Sequence, residues 1–207
     1  MPMRELTGGE IRLAHGLFGD SLDYAAIRIH DRGYARLDAM GDMSFGGHIY
    51  LPHRHQPDFS VAPLAAQRLF IHEMVHVWQH QNRVLDLARA ALRAWVGHGF
   101  RYADAYRFRL AVGRDLLDYG LEQQPAIIEE YFLRQRGGMP MGRCLNDDHE
   151  VAALLEEVLG RFLQDPGYAR GRVHARRPRP AQLASDRNVA PARRSPNANG
   201  APTRSMA

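Results

Sequence analysis

The sequence predicts an α+β fold, mostly helical, with a few short strands ahead of one central helix. Three observations carry this expectation. Apolar residues recur at helical spacing in several long stretches, two short stretches in the first quarter alternate as strands do, and Gly, Pro and Asp clusters separate them. The 207 residues, 45% of them hydrophobic, suffice for one domain plus an extension. Composition changes at Tyr168, and we expect a folded domain over 1–167 and a disordered Arg/Pro-rich tail over 168–207.

Nine of the 27 basic residues and one of the 23 acidic residues fall in that tail, so the body is near −4 and the tail near +8. The net charge of +4 therefore describes the tail and not a basic folded surface. Any attraction to nucleic acid should be weak, tail-mediated and indifferent to sequence. The lone cysteine, Cys144, rules out an intramolecular disulfide and is expected to be inert. No stretch approaches a spanning helix, and the N-terminal residues lack an apolar core, so no membrane association is expected. Cytoplasmic residence is the default, with export by a route that reads no N-terminal signal left open.

Thr7 followed by Glu10 forms a capping-box pattern, and Ile11, Leu13, Ala14, Leu17 and Phe18 give the helix behind it an apolar stripe up to Gly19. Residues 24–30 read as a short strand through Ile27 and Ile29, with His30 a surface residue at its end. Residues 31–47 show little periodicity. Gly47 to Pro52 alternates and stops at proline, as an edge strand does, and such a strand can pair with an extended peptide. His53 and His55 sit in a Pro-rich loop with diverging side chains and are not expected to form a second metal site.

Pro63 opens a helix expected to run to about Asn82. It contains His72-Glu73-Met74-Val75-His76, a complete HExxH. Positions i and i+4 share a helix face, so both imidazoles can reach one metal ion while Glu73 lies one residue round. Two imidazoles and a carboxylate suit Zn²⁺ and leave a position for water, whose pKa falls from 15.7 to about 7 on such an ion. Glu73 is the expected general base for hydrolysis of a peptide bond.

A further helical pattern runs from Leu85 to Val96, closed by Gly97 and Gly99, and residues 102–117 are expected to be partly helical. Tyr102, Tyr106 and Arg109 there can line a cleft or cap a core. The third ligand cannot be a histidine of the extended HExxHxxGxxH pattern, because residue 79 is Gln and residue 82 is Asn. A glutamate from a helix beginning near Leu121 is the other route. Glu122 and Glu129 lie on one face of it and Glu130 is about 100° round from Glu129. Pro125 fits only the first turn, which puts Glu122 at the helix start; we take Glu122 as the ligand and Glu129 as the alternative. Tyr119 and Tyr131 are the candidates for stabilising an oxyanion. A last helix starts at 146–150, carries Val151, Leu154, Leu155, Val158, Leu159 and Phe162, and ends at Pro166-Gly167.

The stretch His72 to Gln79 resembles the HEMxHVWQ signature of small bacterial Vgr-related (Rhs-element Vgr) proteins. It is also similar to the HELxHVxQ motif of metallopeptidase domains associated with contractile injection systems and polymorphic toxins. Residues 119–127 match the related YGxEQQAEI motif at all but two positions, and the likeness covers residues 4–135. The resemblance implies a zincin-like core, a gluzincin-like zinc site with Glu122 as third ligand, a peptide or protein substrate, and a partner in a type VI or related secretion apparatus. One departure stands out: gluzincins carry an acidic residue four places after the ligand glutamate, and this chain has Ala126 there. The same resemblance is compatible with an accessory or adaptor protein that binds zinc and catalyses weakly.

Overall fold

A computed structural model describes residues 3–33, 42–84 and 102–170, with side chains described from 104 in the last segment. The chain is organised around the helix that carries the HExxH motif. In order, the elements are β1 (Met3–Glu5), α1 (Gly8–Phe18), β2 (Arg28–His30), β3 (Met43–Phe45), β4 (His48–Tyr50), α2 (Leu64–Gln81), α3 (Gln123–Gln135) and α4 (Asp148–Gln164), with short 3₁₀ turns between them. The architecture is α+β, as expected: helices packed on a small mixed sheet of order β1-β2-β4-β3.

The capping box forms as predicted: Thr7 Oγ1 accepts from Glu10 N–H at 3.1 Å, and Glu10 accepts from Thr7 N–H at 2.8 Å. The same buried carboxylate pairs with Arg4 at 2.7 Å and accepts from Phe59 N–H at 2.9 Å, so one side chain joins β1, α1 and the turn leading to α2. Such a group is tolerated in a core because each oxygen is satisfied.

α2 is buried on most sides through Leu69, Phe70, Ile71, Met74, Val75, Val77 and Trp78. Phe59 stacks on Phe70, and Phe162 of α4 meets both Phe18 and Trp78 edge-on, at 5.8 and 5.2 Å between centroids. Trp78 also donates its indole N–H to Pro166 O at 2.9 Å, tying α2 to the end of α4. Truncating Trp78 to alanine should remove both the packing and that bond, costing about 3–5 kcal/mol. Urea unfolding of the variant beside wild type would show it as a lower midpoint at unchanged slope.

Several local expectations are corrected. Only Arg28–His30 of the stretch 24–30 is strand; Tyr24–Ala26 is a 3₁₀ turn, held where the Asp23 carboxylate accepts from Ala26 N–H at 3.2 Å. The strand ending before Pro52 is not at the edge. β4 pairs parallel with β2 (Ile29↔Ile49) on one side and antiparallel with β3 (Ser44↔Ile49) on the other. Among the described strands, the one at the end of the sheet nearest the motif helix is β3, joined to β4 by Gly46 and Gly47, both with positive φ (61° and 83°). Proline here ends a strand and does not mark an edge.

Residues 102–117 are less helical than their apolar content implies, forming two short turns, Tyr102–Tyr106 and Leu116–Asp118. Between them Leu110 is clamped by the Asn146 side chain, which accepts from its N–H at 2.8 Å and donates to its carbonyl at 3.0 Å. That duty removes Asn146 from the last helix, which begins at Asp148.

Packing continues past Gly167: Ala169 is buried, Tyr168 donates to Asp115 at 2.7 Å, and Arg170 donates to Asn82 at 3.0 Å. The helical pattern of 85–96 and the tail beyond Arg170 lie outside the described residues. Among the described residues no helix is long and apolar enough to cross a membrane.

Candidate metal centre

α2 and α3 pack antiparallel, which sets the start of α3 beside the C-terminal turns of α2. Gln79 donates to Leu121 O and to Gln124 Oε1, both at 3.0 Å, while Arg68, three turns earlier on α2, meets Glu129. Between these two anchors His72 and His76 face Glu122, the residue immediately before α3, whose side chain makes no capping hydrogen bond. Pro125 in the first turn of α3 holds that start where the sequence placed it.

Ligand atoms from His72, His76 and Glu122 all lie within 4.8 Å of one another. Glu122 Oε2 is 3.4 Å from His76 Nε2 and 3.7 Å from His72 Nε2. The three are 6–9% exposed for His72 and Glu122, and half-buried for His76. His72 and His76 Nε2 are thus the two nitrogens turned toward the carboxylate, and the Nδ1 atoms point away from it.

The hydrogen-bond inventory fixes which lone pairs of this cluster converge. Gln124 donates to Tyr119 O at 2.9 Å, so its Oε1 is free to accept from Gln79. Gln79 then has its amide hydrogens committed, and its Oε1 must accept from His76 Nδ1, at 2.8 Å. A neutral His76 therefore presents its Nε2 lone pair to a carboxylate oxygen. Three electron pairs converging without a positive charge between them repel, so either protons or a divalent cation must sit there.

The electrostatics without a cation agree. Burial by itself lowers the His72 pKa, but the carboxylates of Glu122 and Glu129 outweigh it and raise it to about 9. Burial raises Glu122, and its contacts with both imidazoles outweigh that and hold its carboxyl well below the usual carboxylate range.

Glu73 projects from α2 beside His72 and is 4% exposed. Ser44 of β3 donates to Glu73 Oε2 at 2.8 Å, with Glu73 O also at 3.1 Å from the same hydroxyl. Glu129 lies behind His72, its Oε1 3.4 Å from Nδ1, and is held by Arg68 and Arg143. It is turned away from the convergence point, which leaves Glu122 as the carboxylate of the cluster.

Ser44 and Gln79 were not singled out by the sequence. Gly46-Gly47 between two short apolar runs is the hairpin signal that would have exposed β3, and Gln79 stands three residues after His76 on the same helix face. Tyr119 is occupied elsewhere: its hydroxyl accepts from Ala111 N–H at 3.2 Å. Tyr131 lies about 180° round α3 from Glu122. Tyr106 is the aromatic residue beside the cluster, 5.8 Å from the His72 ring. His30 pairs with His48 at 3.1 Å, and neither it, His53 nor His55 joins a metal-ligating group among the described residues. Burial pushes the Cys144 thiol up, away from the reactive thiolate.

No protein-family model matches the chain. It is 43% identical over 135 residues to the type VI secretion system spike protein VgrG2b of Pseudomonas aeruginosa, covering 64% of this chain and 13% of the spike protein. The solved effector domain of P. aeruginosa VgrG2b superimposes with a TM-score of 0.56 at 36% identity, over 77% of this chain and 81% of that domain. The chain belongs to the VgrG2b effector-domain family. Its likeness is to the VgrG2b effector domain and not to the spike protein as a whole, since the chain spans only 13% of the spike's length.

Proposed function

We propose that this chain is an effector-type domain that works with a type VI secretion apparatus, exported through it, and that it binds Zn²⁺ on His72, His76 and Glu122 to hydrolyse peptide bonds. The observation that carries the reading is the convergence of those three ligand atoms within 4.8 Å, with the Glu73 carboxylate fixed beside them by Ser44. A bound divalent cation supplies Lewis acidity, polarising a carbonyl and acidifying a water. Glu73 is the group that takes the water's proton and returns it to the leaving amine. Gln79 holds His76 in the tautomer whose Nε2 is a ligand.

Ser44 keeps the Glu73 carboxylate from swinging toward solvent. A hydrogen bond to a charged group is worth about 1.5–3 kcal/mol, so Ser44→Ala should lower kcat/KM by roughly tenfold or more with zinc content unchanged. Parallel assays of peptide cleavage and metal content would check this.

A second reading keeps the secretion partner and the zinc site and drops the catalysis: an accessory domain stabilised by metal. Ala126 favours it, since the acidic residue expected there is replaced by a methyl group. Metal analysis of the purified chain and cleavage assays on peptide libraries separate the two. Zinc without cleavage by wild type selects the accessory domain; absence of zinc overturns both.

A further inference from the structure

Glu129 is 1% exposed, and a carboxylate so deep requires compensation. It has more than it needs for neutrality: Arg68 from α2 meets one oxygen and Arg143, from the loop before α4, the other. Arg143 also lies over the Tyr106 ring at 4.7 Å, and that ring is the one beside His72. The bracketing guanidiniums hold the carboxylate from both sides, and its Oε1 lies 3.4 Å from His72 Nδ1. His72 Nδ1 is itself buried with no formed hydrogen bond among the described residues. A shift of about 0.5 Å would turn this separation into a charge-assisted hydrogen bond.

His76 shows what such a partner does, because Gln79 already fills the matching place on its Nδ1. Ala126, 2% exposed and one turn after Glu122, has no polar atom to offer His72. Glu129 is two turns after Glu122 on the same face of α3 and reaches the imidazole that Ala126 cannot.

We propose that Glu129 is the positioning residue of His72, replacing from two turns along the helix the acidic residue absent at 126, and that it strengthens divalent-cation binding without being a ligand. This rests on the reading that His72, His76 and Glu122 hold a cation. Held by Glu129, the proton stays on Nδ1, the ring keeps its orientation, and Nε2 becomes more basic toward the ion.

The test uses the full chain, Zn²⁺ competition against a chromophoric chelator, and the variants Glu129→Gln and Glu122→Gln. Glu129→Gln should weaken Zn²⁺ binding by about 10- to 100-fold, the range of such outer partners, while Glu122→Gln weakens it further. Nitrogen-15 correlation spectra of the zinc-loaded wild type should show His72 protonated at Nδ1 and metal-bound at Nε2. These spectra decide the matter if Glu129→Gln does not fold. Unchanged Zn²⁺ affinity in Glu129→Gln, loss as complete as in Glu122→Gln, or His72 bound through Nδ1 would each overturn the proposal. Each leaves the zinc site itself standing, whereas a wild type that binds no Zn²⁺ removes the site and this role together.

Discussion

Replacing His76 with alanine is expected to strip zinc from the purified protein and lower its melting temperature. The imidazole supplies one of three converging ligand atoms and sits between the two buried elements that the site joins, α2 and α3. Partners outside the ligand set are worth about 10- to 100-fold in affinity, so deleting a ligand should cost more than about 100-fold. Zinc at about 1,000 times its dissociation constant would stabilise the wild type by about 4 kcal/mol. For a domain of this size that corresponds to a rise of roughly 8–16 °C in Tm. Thermal melts with and without added zinc should show this increment in wild type and lose it in His76→Ala, with elemental analysis in parallel. A His76→Ala protein that keeps stoichiometric zinc would sink the assignment.

Exchanging Glu73 for glutamine should separate binding from chemistry. The variant keeps the shape of the side chain and an acceptor for Ser44, so α2, β3 and the three ligand atoms should stay in place. It cannot take a proton. General-base catalysis contributes about 10²- to 10⁴-fold, and peptide cleavage should fall by that much while zinc content and melting temperature match wild type. Equal cleavage by the two forms would remove Glu73 from the chemistry; a loss of zinc in the variant would mean the residue holds the site together and does not act as base.

These expectations draw on different depths of information. The HExxH face of α2 was legible because helical periodicity fixes what i and i+4 share, whatever surrounds the helix. Pro125 made the start of α3 readable in the same way, since its ring is tolerated only in a first turn, and that sets Glu122 beside the helix start. The Thr7–Glu10 cap was equally local. β3 was missed because three residues are too few to show alternation, and β4 was misplaced because strand order depends on partners distant in sequence.

What the sequence alone determined, then, is every feature set by bonds and sterics within a turn or two of chain: the motif helix, its two imidazoles, and the helix that begins just after Glu122. Only the tertiary structure decided which carboxylate faces the imidazoles, that Ser44 holds Glu73, and that Glu129 lies behind His72 between two arginines. The reason is physical. Periodicity says which side chains share a face, but which face meets which is settled by burying α2 against α3 and β3 at once, and that is a property of the packed whole.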